Sequence, residues 1–208
     1  RQIETLLEKR YPEAAGLSVK KFMEHVEPLT NHLEKIQAFD PDLENGRLPF
    51  VLVIKNELVE AEKAMPLVIR ENRQGIVKLF PREPKDFEPI PQVIIPAAKA
   101  YLLINIDRGK ESLNIPPSDA LKIIAQKKRW PLTIDEGIAC VTQYPDFLRK
   151  NNCFSLLASR HTGDKRVPAI WINANKNPNL GWCWDGNPHT WLGSASCETR
   201  IGHAVSPT

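Results

Sequence analysis

The 208-residue chain has no apolar run close to the roughly 20 residues that cross a bilayer; its longest, Leu48 to Ile54 and Tyr101 to Ile106, are strand-sized. A transmembrane helix is excluded, and no membrane partner is expected. Cysteine is sparse. The four (Cys140, Cys153, Cys183, Cys197) form no C-x-x-C pair and fall far short of the density of a disulfide scaffold. Asparagine is never followed two positions on by Ser or Thr, so no glycosylation sequon exists. Both absences point to reduced thiols and a cytoplasmic setting. The chain begins at Arg1, so that setting is an expectation from composition alone.

Charge of one sign is also lacking. Lys plus Arg total 28 against 25 for Asp plus Glu, a net charge of +3, which argues against nucleic acid as the partner. Missing too are G-x-G-x-x-G, G-x-x-x-x-G-K-[ST], H-E-x-x-H and G-x-S-x-G, so the common nucleotide-binding and hydrolase templates lose their support. Asp40-x-Asp42-x-Glu44 has the acidic spacing of a calcium loop. Its glycine comes one position late, at Gly46, and its twelfth residue is Val51, so it reads as a polar turn.

What is present is a chain of the size of one domain, 1–208, with a helical segment over 1–45 and an α+β core over 46–208. Val19, Phe22, Met23, Val26, Leu29, Leu33 and Ile36 recur at helical spacing, with Ser18 as cap and Pro28 placed to divide the helix. Ile3 to Arg10 predicts a shorter helix closed by Tyr11-Pro12. Strands are expected at Leu48 to Lys55, Met65 to Arg70 and Tyr101 to Asp107, the last ended by the turn Asp107-Arg108-Gly109. Five prolines between Pro81 and Pro96 predict a pinned, extended connection. Helices follow at Pro117 and at the capping box Thr133-Ile-Asp-Glu136, with Lys127-Lys128-Arg129 as punctuation between them. Phe154 to Ser159 and Val167 to Ile172 predict a hairpin around the polar run Arg160 to Arg166, and Asn173 to Asn179 a plain loop. The expected fold is α+β: N-terminal helices packed on a mixed or antiparallel sheet, with a C-terminal hairpin-rich β segment.

Chemistry-bearing residues gather late in the chain, where four of the five Trp, three of the four Cys and three of the five His lie. Trp182 and Trp184 alternate on a strand and share a face, with Cys183 on the other. With Trp191 they form either core or the apolar wall of a ligand pocket, and Asp185, Asn187 and His189 could orient the ligand. Arg160, Asp164 and Arg166, with His161, form either a solvated tip or an anion clamp. Cys183 or Cys197, with His189 as base and Asp185 as orienting group, meets the compositional demand of a nucleophile set, and buried inert thiols are the alternative. Cys183, His189, Cys197 and His203 are right for zinc in type though not in spacing. The function expected first is a small-molecule-binding protein or enzyme with its pocket in this segment. The alternatives are a protein-interaction or homo-oligomerising module using the Trp surface, and a structural zinc protein. No cofactor is indicated by any motif.

Pro131-Leu-Thr-Ile-Asp-Glu-Gly137, Asn152-Cys-Phe-Ser-Leu-Leu157, Arg166-Val-Pro-Ala-Ile-Trp171 and Leu180-Gly-Trp-Cys-Trp-Asp-Gly-Asn-Pro-His-Thr-Trp-Leu-Gly-Ser-Ala-Ser-Cys197 together resemble an uncharacterised bacterial family defined by a domain of unknown function. The resemblance runs over most of the chain from about Tyr11. It implies a bacterial, cytoplasmic protein, and it brings no substrate, cofactor or catalytic residue. In that family Arg-Cys often stands where this chain has Arg160-His161, so the resemblance lends no role to His161.

Overall fold

A computed structural model describes residues 1–36 and 39–202. Two helices, α1 (Gln2–Glu8) and α2 (Val19–Val26), lead into the first long strand, β1 (Arg47–Ile54). A two-residue strand, β2 (Ile76–Val77), comes next, followed after the proline-rich stretch by β3 (Ala100–Asp107), α3 (Pro117–Gln126) and α4 (Ile134–Gln143). The remainder is β4 (Cys153–Ser155), β5 (Arg166–Ile172), β6 (Pro178–Trp184), β7 (Leu192–Ser194) and β8 (Thr199–Gly202). The α+β class read from the sequence is the architecture found.

β1 and β3 pair antiparallel along their whole length, from Arg47 opposite Asp107 to Ile54 opposite Ala100. The other edge of β3 takes β8, with Thr199 opposite Ile104, and the short strand Ser196–Cys197. Helices cover this sheet, α1 packing on β1 and α2 on β3, which is why β1 is apolar almost continuously rather than alternating. Gln2 closes part of the β1 edge: its side-chain amide donates to Phe50 O (3.1 Å) and accepts from Leu52 N (2.7 Å). A second sheet runs β7-β4-β5-β6-β2, with β4, β5 and β6 antiparallel in sequence and β7 and β2 added parallel at the two edges.

α4 joins the two sheets, packing on β1 of the first and β5 of the second. A helix buried on nearly every side must be apolar all round, and Ile134, Ile138, Ala139, Cys140 and Val141 meet that demand. Gly137 marks the closest approach, since a Cβ there would lie 2.5 Å from a methyl of Leu156. Thr142, bonded to Tyr11 Oη, and Glu136 are the buried polar exceptions, and Glu136 is the charged one, a carboxylate at 0% exposure. It is satisfied by four donors: Tyr101 Oη (2.8 Å), Thr133 N (2.8 Å), Arg200 Nη2 (2.8 Å) and Arg200 Nε. Burial alone would make the Arg200 guanidinium easier to deprotonate, and the charge and hydrogen bonds of Glu136 outweigh it, so its proton is held more firmly than usual.

The structure corrects several local expectations. Tyr11-Pro12 does not close the first helix. That helix ends at Glu8, Arg10 takes a left-handed conformation (φ 62°), and Pro12 sits in the first turn of a new one-turn helix, Tyr11–Ala14, where its missing N–H costs nothing. Met65 to Arg70 is not a strand, because Pro66 starts a 3₁₀ turn over Met65–Leu67 and only Ile69–Arg70 is extended. The helix over 18–36 is divided as Pro28 requires, α2 passing into the 3₁₀ segment Glu27–Lys35. The expected hairpin keeps its pairing, Ser155 opposite Ala169, but not its tip. Ser159–Arg160 leaves to pair with Glu88–Pro89 of the proline-rich stretch, which is thereby pinned. The tight hairpin is instead β5–β6, turned at Asn173, whose Oδ1 accepts from the backbone N–H of Asn175 (2.9 Å) and Asn177 (3.0 Å). Arg108 is not exposed turn chemistry: it is 1% exposed and donates to the carbonyls of Leu43, Glu44 and Phe147. Nor is Arg129 mere punctuation, since it donates to Ser196 Oγ (2.9 Å).

Glu136→Gln removes the charge opposite a buried arginine and is expected to cost about 3 kcal/mol. Denaturant unfolding of Glu136→Gln, Arg200→Met and the double variant checks this. A double variant losing clearly less than the sum of the singles is the expected mark of a coupled pair.

Candidate functional site

The residues singled out in the C-terminal segment sort by strand register. Arg166 lies opposite Trp184 and Pro168 opposite Trp182, so Arg166, Trp182 and Trp184 project from one face of β5–β6. The two indoles meet edge to face, centroids 5.0 Å apart, and the Arg166 guanidinium lies 4.7 Å from one ring centre and 4.8 Å from the other. Asp164 accepts from Arg166 Nη1 at both oxygens (3.1 and 2.9 Å), from the Arg166 backbone N–H (2.9 Å) and from Arg82 Nε (2.9 Å). Its side chain is shielded from solvent contact by those two arginines rather than by the core. Desolvation would raise its carboxyl; the Arg166 backbone N–H and the two guanidinium groups outweigh that and pull it down to about 2. Arg160 pairs with Asp185 (3.0 Å) nearby. Trp182 donates Nε1–H to Phe80 O (2.9 Å). The result is a platform whose aromatic faces are filled by its own arginine.

Trp191 is not part of that platform. It packs on Trp171 (centroids 6.2 Å) and under His189 (5.2 Å), and Trp171 projects from the opposite face of β5, because odd and even positions of a strand point to opposite sides. The expected single wall is therefore two separate aromatic groups. Asn187 is exposed in the turn that follows β6, its N–H bonded to Trp184 O. Cys183 faces inward to Ser155 Oγ (3.8 Å), and Cys197 lies in the other sheet. Burial raises both thiols, Cys197 to about 12 with Glu136 adding to the effect, so the thiolate needed for attack or ligation is disfavoured at each. Among the described residues no group of three or more His, Cys, Asp or Glu converges as a metal site would; His203 lies outside them.

A cleft of about 430 Å³ opens elsewhere, where the end of β1, the helix Ala61–Ala64, the Pro84–Asp86 turn, the start of β3 and the N-terminus of α4 meet. Asp135 stands on its wall. The capping box fixes it there: Thr133 Oγ1 and the Glu136 carboxylate hold the first turn of α4, Ser159 Oγ accepts from Ile134 N (2.9 Å), and Asp135 is turned towards the cleft. Its Oδ2 accepts from Asn56 N (3.0 Å). Burial pushes this carboxyl up to about 7, against the lowering effect of the Asn56 N–H and with Glu136 pushing the same way. The group nonetheless keeps some solvent contact through the cleft. A carboxyl that exchanges its proton near neutrality in a recess is the usual make-up of a general acid or base. Glu62 and Pro84 also border a shallow groove along Leu79, Phe80 and Arg82, and Phe80 and Arg82 are bonded in turn to Trp182 and Asp164 of the tryptophan platform.

Spacing could not reveal Asp135, because in the sequence it is one of two acids in a helix cap. The usable signal was the apolar flank of Leu132, Ile134 and Ile138, which places that helix start at the core boundary and any acid there in low dielectric.

Among the described residues no helix is long and apolar enough to cross a membrane. A family model described as a family of unknown function, DUF5701, matches residues 5–203. No curated protein and no solved structure matches the chain.

The folded Asp135 carboxyl keeps its proton up to about pH 7, against an ordinary value of 3.8. The folded state thus holds a proton that the unfolded chain has lost, and stability falls as pH rises through that window. Asp135→Asn is expected to be more stable than the parent at pH 8, by about 2 kcal/mol because the carboxyl retains solvent contact, and equal to it near pH 4. Melting curves across pH 4–9 read the difference directly.

Proposed function

We propose, for a chain that belongs to the DUF5701 family and takes no activity from it, that the protein binds a small molecule in the Asp135 cleft and exchanges a proton with it through that carboxyl. The observation that carries this is one group: Asp135, poised at about 7 on the wall of a cavity of about 430 Å³. The cleft is lined on its apolar side by Ile95, Pro84 and Pro89, with Phe87 and Tyr101 almost wholly buried in its wall, and the Thr133 and Ser159 hydroxyls are committed to the start of α4. Glu136 acts at one remove, holding the helix end that aims Asp135. The platform of Trp182, Trp184 and Arg166, with Arg160, Asp164 and Asp185, has its aromatic faces covered by Arg166 and lines no part of this cleft.

A second reading is favoured by the exposure of Phe80 (88%) and Trp184 (41%) beside Arg166. Aromatic and arginine side chains on one surface suit the centre of a protein interface, including one with a second copy of the chain.

The two readings separate in one titration series. Backbone amide shifts are followed while small-molecule mixtures are added, and the expected outcome is movement confined to residues 55–62, 84–89 and 133–135 that is lost in Asp135→Asn. Shifts centred on Trp182 and Trp184 would move the ligand to the platform. Concentration-dependent mass that disappears in Phe80→Ser/Trp184→Ser, with no shifts in the cleft, would favour the interface.

A further inference from the structure

Resting on the cleft reading above, we propose that the ligand of the Asp135 cleft is a primary amine carried on an apolar body. The charged groups on the cleft wall are Glu57, Glu60, Glu62 and Asp135 against Lys55 and Lys85. Both cations are already engaged. Lys55 Nζ is bound to Glu57 Oε1 (2.8 Å) and Pro96 O (3.3 Å), and Lys85 Nζ to Glu83. Glu57 is paired with Lys55 and Glu60 with Lys63 (3.2 Å), which leaves Glu62 and Asp135 as the wall's acids without an ion pair among the described residues, so the balance facing the cavity is negative, drawing a cation in and repelling an anion. At the inner end, Asp135 Oδ2 accepts the Asn56 N–H, while Oδ1 carries no hydrogen bond among the described residues. One free carboxylate oxygen suits one ammonium N–H donor. It does not suit a metal ion, for which no third ligand converges among the described residues.

The rest of the wall selects what the amine is attached to. Ile95, Pro84, Pro89 and the nearly buried Phe87 give an apolar side, which favours a hydrocarbon or aryl body on the amine. An ammonium beside Asp135 stabilises the ionised carboxyl, so binding at neutral pH releases a proton, and affinity should weaken as the buffer is acidified. The groups that bear on Asp135 are Lys55 and Glu57 on either side of Asn56, Glu136 beside it on α4 and the buried phenols of Tyr11 and Tyr101, with Glu60 (paired to Lys63), Glu62 and Lys85 on the same cavity wall.

The test is calorimetric titration of the full chain with phenethylamine and hexylamine, against their neutral counterparts 2-phenylethanol and hexanol and their anionic counterparts phenylacetate and hexanoate. The expected result is at least tenfold tighter binding of each amine than of its alcohol at pH 8, no binding of the carboxylates, and a fall in amine affinity between pH 8 and pH 5.5. Asp135→Asn should remove the amine preference while melting no lower than the parent. Alcohols or carboxylates that bind as tightly as the amines, in an Asp135-dependent way, would overturn the amine assignment and leave the cleft reading standing. Absence of binding by every probe would overturn the assignment, and cleft shifts from another mixture component would show that the cleft reading survives it.

Discussion

Everything central in this fold is arranged around one buried carboxylate. Glu136 begins α4 with its charge where no water reaches, and such a charge is tolerated only when every lone pair is used and a cation stands against it. The four donors come from three separate stretches of chain: Thr133 in its own cap, Tyr101 on β3 and Arg200 on β8. Arg200 also donates to Pro131 O (2.8 Å), so the same guanidinium fastens the strand before the helix. Replacing this set with apolar side chains would keep the burial and lose the directionality. The helix could then slide or turn between its two sheets, and the residue next to Glu136 would lose its aim.

That neighbour shows how environment divides two like groups. Asp135 and Glu136 are adjacent carboxyls at one helix start, turned about 100° apart around the helix axis. One is saturated with donors and carries structure. The other has one backbone N–H, burial and a like charge beside it, and so holds its proton towards neutrality. Pairs of titratable groups driven apart by their surroundings are how a fold assigns one acid to structure and leaves the other for proton exchange.

What could be read in the sequence was whatever depends on near neighbours. The Ser18 cap, the break at Pro28, the Thr133 capping box, the β1 and β3 runs and the shared face of Trp182 and Trp184 are each set by residues within a few positions, and each appears as read. What escaped depends on distant partners. Arg108 looked like a turn residue because its acceptors, at Leu43, Glu44 and Phe147, are about 40 to 65 positions away. The pinning of the proline-rich stretch needs Ser159–Arg160, and the cleft needs five separate segments. The late concentration of Trp, Cys and His drew attention to the tryptophan platform, whereas the perturbed carboxyl sits in a separate cleft, in a motif already explained as a cap. A residue with one sufficient local role gives no sign of a second.

The 64-residue separation of Glu136 and Arg200 also bears on how the chain is made. At typical elongation rates of roughly 5–20 residues per second, α4 leaves the ribosome about 3–13 s before the arginine that neutralises it. During that interval the helix carries an unmatched carboxylate into any early collapse, so the two sheets cannot close around it. Completion of the core is thereby tied to the arrival of β8, which carries the cation that the buried carboxylate requires.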